Sequence, residues 1–239
     1  MMKYSLCSIK MIHGLTFLGI GFISLIISCT TPYHIQNFDE ITNSHKVVAV
    51  LPFDMIYTGM IPEELTEEDL NEIEAAESQA FQISFYNEVL GSTKNGRRNL
   101  SVNLQPINKT NRILKENELS GIEVHSLPYE DIAEMLDVDA FVTGQIQKNR
   151  LMSDLASYGI EIGVHILDVM SPHTIWPFIP GDLSRSKEIK SSYAIYDGNE
   201  SLTLWSVSYN YDADWRRSAN DIIDETNRRA ARKFPYRVN

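Results

Sequence analysis

The sequence predicts an α/β fold: a mixed β-sheet with flanking helices in one domain, ending in a β-hairpin followed by a helix. Three stretches predict it. Lys46 to Phe53 reads Lys-Val-Val-Ala-Val-Leu-Pro-Phe, a nearly continuous apolar run rich in β-branched residues that suits a strand covered on both faces. Leu70, Ile73, Ala80, Phe81, Phe85, Val89 and Leu90 recur at steps of three and four, the period of a helix with one buried face. Near the C-terminus, Lys190–Tyr196 and Leu202–Tyr209 alternate on either side of Asp197-Gly-Asn-Glu-Ser, the pattern of a hairpin.

The chain opens on a different kind of segment. Lys3 and Lys10 precede an apolar run of fourteen residues, Gly14 to Ile27, in the layout of a signal peptide. A helix needs about 20 residues to cross a bilayer, so the run is too short for a permanent span. It ends Ile26-Ile27-Ser28-Cys29. A branched aliphatic three before a cysteine and a small residue immediately before it resemble the lipobox of bacterial lipoproteins. That resemblance implies cleavage between Ser28 and Cys29, diacylation of the Cys29 thiol and acylation of the new amino terminus. Two or more acyl chains hold a protein firmly where one holds reversibly. Thr30, not aspartate, follows the cysteine, which favours the outer membrane. Residues 29–45 are polar and read as a lipidated tether carrying His34 and His45 as exposed linker histidines, with the α/β domain spanning 46–239.

Within that domain, Lys46–Phe53 is expected as the central strand. Thr66 offers an N-cap ahead of Glu67, Glu68 and Asp69, acids placed where the helix dipole favours them, and the long helix should end near Gly91. Leu100–Leu104 alternates like a strand. Asn108 or Thr110 offers a cap for a short helix through Leu119, and Pro128 stands at a helix start before Tyr129–Leu136. Asp139–Ile146 reads as another strand. Residues 151–170 fit either a strand, by the alternation from Tyr158 to Ile166, or a helix. Ser171–Gly181 carries three prolines beside aromatic residues; with Trp176 and Phe178 in it and Trp215 further on, it is the candidate contact surface. The last helix should begin near Ser218, carry Ile222, Ile223, Thr226, Ala230 and Phe234, and stop at Pro235.

Charge and cysteine content narrow the function. The formal charge is −11, and loss of Lys3 and Lys10 with residues 1–28 takes it to −13. Nucleic acid is therefore a poor partner, and no Lys/Arg-rich face is available for a membrane surface. Cys7 leaves with the signal and Cys29 becomes a thioether, so no thiol nucleophile, disulfide or cysteine-based zinc site remains.

Motifs for chemistry are missing. There is no His-Glu-x-x-His, no Gly-x-Ser-x-Gly elbow and no phosphate-binding glycine loop. His125 stands near Glu123, His165 near Glu161 and Asp168, and His173 lies in the proline-rich stretch, without a shared pattern. The acids from Glu63 to Glu74 lack the glycine and spacing of a calcium loop and read as a solvated helix face. Trp205 is expected in the hairpin core. Neither enzyme activity, nor a metal, nor a cofactor is expected.

Four pieces then occur in a familiar order: Val48-Ala-Val-Leu-Pro-Phe53, Leu136-Asp-Val-Asp-Ala-Phe-Val-Thr-Gly144, the hairpin through Leu204-Trp205, and Lys233-Phe-Pro-Tyr236. They resemble bacterial envelope lipoproteins with a TolB N-terminal-like or curli-secretion-channel-like α/β domain, with Asp137 in place of that group's usual glycine. The resemblance implies a periplasmic or surface domain that binds other envelope proteins. Pore-forming members build barrels from long amphipathic hairpins; runs 158–166 and 193–209 are the candidates here, and neither supplies paired strands of about 9 to 11 residues. The expectation is thus a non-enzymatic, lipid-anchored binding or assembly module. The alternative is a subunit of an oligomeric outer-membrane export channel, which leaves homo-oligomerisation open.

Overall fold

The apolar run at 46–53 is buried on both sides because it lies inside the sheet. In the computed structural model, which describes residues 31–58, 66–92, 99–119, 121–148, 188–212 and 219–238, β1 is Tyr33–His34, β2 Val47–Val50, β3 Asp54–Tyr57, β4 Asn99–Leu100, β5 Asn103–Leu104, β6 Ala140–Lys148, β7 Glu188–Asp197, β8 Thr203–Asp212 and β9 Arg237–Val238. Helices α1 to α6 are Phe38–Thr42, Glu67–Gly91, Ile107–Glu116, Gly121–Val124, Tyr129–Leu136 and Ala219–Ala231. The main sheet runs β1-β8-β7-β6-β2-β5, with β3 also on β6. β2 is parallel to β5 and β6, whereas β7, β8 and β1 are antiparallel to their neighbours. The sheet is mixed and helices flank it, as the sequence predicts.

The two faces carry separate cores. Val48, Val50, Phe53, Val142, Tyr193, Ile195 and Trp205 pack with Phe81 and Phe85 of α2 and Ile222 and Ile223 of α6. Ala49, Leu51 and Phe141 pack with Leu114, Val124, Ile132 and Leu136 of α3, α4 and α5. Successive residues of β2 point to opposite faces, so a strand between two helical layers must be apolar at every position. Its polar neighbours are satisfied from the helices: Gln82 donates to the Val50 carbonyl at 2.7 Å, and buried Asn227 accepts from the Tyr193 hydroxyl at 2.9 Å while donating to the Phe81 carbonyl at 3.0 Å.

β2 and β3 form one line along β6 with an extra residue between them. Val50 is opposite Val142 and Asp54 opposite Gln145, so Leu51, Pro52 and Phe53 face only Thr143 and Gly144. A bulge is where a strand proline is tolerated, since it has no N–H for the ladder. The bulge turns Phe53 onto Gly144, where an added Cβ would lie 2.5 Å from the ring, and it puts Asp54 on the opposite face.

Several expectations are corrected. β6, paired on both sides along its length, is the centre of the sheet; β2 lies one place nearer the edge. Leu100–Leu104 is not one strand: the Ser101 N–H donates to the Tyr236 carbonyl and the Asn103 N–H to the Lys46 carbonyl, so β4 joins β9 in a small separate sheet and β5 joins β2. The short helix caps at Pro106, and Thr110 is buried inside it, donating to Gln105 Oε1 at 2.8 Å. The hairpin strands β7 and β8 are ten residues each, longer than the sequence suggested, with one face committed to the α2/α6 core. Phe234 lies beyond the last helix and is buried all the same.

The largest correction concerns residues 31–45. β1 pairs with β8 at Ser206 and Trp205, the Phe38 ring meets Tyr236 edge-on at 5.4 Å, and His45 is 6% exposed. The histidine sits between the Tyr236 hydroxyl at Nδ1 (2.8 Å) and Asp197 Oδ1 at Nε2 (3.0 Å). It is a clasp between the two ends of the domain, not an exposed linker residue. Thr66 caps α2 as expected, in a reciprocal capping box with Asp69.

Candidate functional site

The bulge, the start of α5 and the middle of β6 and β7 meet around a cleft of about 340 Å3. Side chains of alternate strand residues share a face, so β6 contributes Phe141, Thr143 and Gln145 and β7 contributes Ser192, Ala194 and Tyr196. Tyr129 and Ile132 come from α5, Asp54 from β3 and His125 from the turn between α4 and α5.

Hydrogen bonds fix the polar groups. His125 Nε2 donates to the Pro52 carbonyl at 3.1 Å, and Nδ1 accepts from Thr143 Oγ1 at 3.2 Å. A carbonyl only accepts, so this pairing puts a hydrogen on Nε2. Burial lowers the His125 pKa, against the opposing pull of Asp54 and the Pro52 carbonyl. Gln145 Nε2 donates to Asp54 Oδ2 at 2.8 Å. Ser192 and Ser208 share a hydroxyl bond at 2.9 Å.

The apolar wall is aromatic. Tyr129 and Tyr196 have ring centroids 4.1 Å apart, and Phe141 lies 5.7 Å from the first and 5.9 Å from the second. Burial and the bond to Tyr196 push the Tyr129 phenol up to about 12, so it stays protonated. Among the described residues, the cleft lining includes one carboxylate and no lysine or arginine. Behind Asp54, desolvation followed by the charges of Asp54 and Glu77 raises the Glu74 carboxyl.

The Thr143 hydroxyl meets one imidazole nitrogen, and the other is held by the Pro52 carbonyl, which orients the ring. On the opposite face of the sheet, Lys148 (2% exposed) lies 2.6 Å from Glu77 (4% exposed), whose Oε2 also accepts from the Tyr57 hydroxyl at 2.8 Å. Burial and Glu77 raise the Tyr57 pKa well above its ordinary value. That ion pair ties α2 to the end of β6. Among the described residues, no group of three or more His, Cys, Asp or Glu side chains could hold a metal ion.

Of the residues singled out in the sequence, the structure brings only His125 to this cleft; Glu123, its sequence neighbour, is exposed. Trp205 is fully buried in the α2/α6 core. Ser28, Cys29, Glu161, His165, Asp168, His173, Trp176, Phe178 and Trp215, and the ambiguous run 151–170, lie outside the described residues. Asp54, Tyr129, Thr143, Gln145 and Tyr196 went unnoticed, because they come from four elements and share no spacing. A polar residue directly after the apolar Val-Leu-Pro-Phe run was the one available signal.

No family model matches the chain, and no curated protein matches it. Among solved structures it is similar to the PelC dodecamer from Paraburkholderia phytofirmans, at 8% identity over 77% of this chain and 83% of that one, with a TM-score of 0.35. It is similar to lipoprotein GNA1162 from Neisseria meningitidis, at 10% identity over 78% and 94%, TM-score 0.42. A third is the LpoB C-terminal domain from Salmonella enterica, at 8% identity over 74% and 93%, TM-score 0.34. With these TM-scores below 0.5, what the cleft does has to be read from the residues of this chain.

Proposed function

We propose that the chain is an envelope lipoprotein, anchored in the outer membrane by fatty chains on Cys29, whose α/β domain binds another envelope protein and catalyses no reaction. The observation that carries the reading is the spacing between lipobox and fold. Tyr33, the first strand residue, stands four positions after Cys29. An extended chain covers about 3.3 to 3.6 Å per residue, so an acylated Cys29 would keep β1 within about 14 Å of the sulfur. The domain would sit against the bilayer with its β1 edge first, a position suited to a membrane-bound partner. No described helix is long and apolar enough to cross a membrane. The acidic balance of the chain disfavours direct adsorption to anionic lipid.

Radioactive palmitate fed to cells tests the anchor. Wild-type protein is expected to take up label and to sediment with membranes, whereas Cys29→Ala takes up none and stays in the precursor form. An unlabelled wild-type protein would end the lipoprotein reading.

A further inference from the structure

We propose that the cleft beside α5 receives a single guanidinium side chain from a basic segment of the partner protein, its charge held by the Asp54 carboxylate and its apolar stem or neighbour lying along the Tyr129, Phe141 and Tyr196 wall. The inference rests on the reading of this domain as a protein-binding module and names the chemistry it recognises. Charge decides it. Asp54 is the one carboxylate among the described lining residues, and burial lowers the His125 pKa despite the opposing pull of Asp54 and the Pro52 carbonyl. Gln145 holds Asp54 Oδ2, which fixes the carboxylate and leaves Oδ1 for a second donor. Asp54 is opposite Gln145 and Tyr196 opposite Phe141, four residues or about 13 Å apart along β6, so the carboxylate meets the charge and the aromatic wall meets the apolar part of the segment. The Asp54 charge contributes to raising the Glu74 carboxyl, so a second acid stands near it, and the formal charge of −11 favours a positive partner. About 340 Å3 is at the small end of ligand sites and has room for an arginine side chain.

Full-length protein in detergent, titrated calorimetrically, tests this. The probes are N-acetylarginine amide and its uncharged near-isostere N-acetylcitrulline amide. The arginine probe is expected to bind about 10-fold or more tightly than the citrulline probe, with a preference that shrinks as salt rises, because screening weakens an exposed charge pair. Asp54→Asn should remove that preference. Ser192 is exposed on the cleft rim, so Ser192→Lys, which adds a competing ammonium without touching the core, should lower arginine affinity by a similar factor. Equal affinity for the two probes, no binding of either, or a preference that survives both substitutions would overturn the proposal. So would binding of N-acetylglucosamine in place of the arginine probe, which would make the cleft a sugar site. Unfolding midpoints of both variants close to wild type show that lost binding is local. Repeating the titration on Cys29→Ala separates the two readings: an unchanged arginine preference there leaves the cleft standing even if palmitate labelling fails.

Discussion

Single residues in this protein do work that their sequence neighbourhoods conceal. His45 stands in a polar stretch, yet it bridges Tyr236 and Asp197 in the interior. Asp197 Oδ2 in turn accepts from the N–H groups of Asn199 and Glu200 at 2.8 and 2.7 Å, so one imidazole holds the C-terminus and the hairpin turn together. His45→Ala removes a partner from a buried phenol and a buried carboxylate, and should cost about 2 to 3 kcal/mol, read as a lower midpoint in chemical unfolding. His125 makes a different prediction, about pH. Its folded pKa lies below its unfolded value, so as pH falls below about 6.5 the unfolded chain takes up a proton that the native ring refuses. Stability is lost across that window, by at most about 1.4 kcal/mol per pH unit from this group, until pH reaches the lowered folded pKa. His125→Gln should show a smaller drop between pH 7.5 and 5.5 than wild type; equal drops would deny His125 this role.

At the scale of elements, the sequence was legible wherever one face or two faces of a single element had to be buried. The period of three and four in α2, the unbroken apolar run of β2 and the alternation in β7 and β8 are each imposed by the layer packed against that element, so each leaves a local trace. Ends and breaks leave less. Leu100–Leu104 alternates as a strand does, but its two halves bond to different partners far along the chain, Tyr236 and Lys46. The bulge at Leu51–Phe53 was visible only as a proline. Asp137, which replaces the glycine usual in the resembled group, closes α5 with φ 55° and ψ 57°. That left-handed conformation suits glycine at a helix C-terminus and strains a residue with a Cβ. Asp137→Gly should therefore raise stability by about 0.5 to 1 kcal/mol, measurable as a higher thermal midpoint; a lower one would show that the aspartate is doing something else there.

For the whole molecule, the consequential fact is that β1 begins four residues after Cys29. With β1 on the edge of the sheet and Phe38 and His45 packed near the C-terminal Tyr236, residues 33–45 belong to the domain body. Native protein digested lightly with a nonspecific protease should remain uncut between Tyr33 and His45, checked by mass spectrometry of the fragments. Rapid cleavage there would restore a free tether. Were Cys29 acylated as proposed above, such a build would favour an oriented domain over one that roams from its anchor.

What the sequence alone determined is the fold class, the hairpin, the caps of α2 and α5 and the acidic balance, because those depend on the period of burial, on turn chemistry and on charge, all of which are written locally. Tertiary structure decided the rest. It folded the supposed tether onto the domain through a histidine clasp, split one apparent strand between two sheets, and gathered Asp54, His125, Tyr129, Thr143 and Tyr196 into one cleft. Those groupings arise from pairing between distant segments and from a one-residue bulge that sends Asp54 to the face opposite Phe53, and no residue carries a local mark of which distant neighbour it will meet.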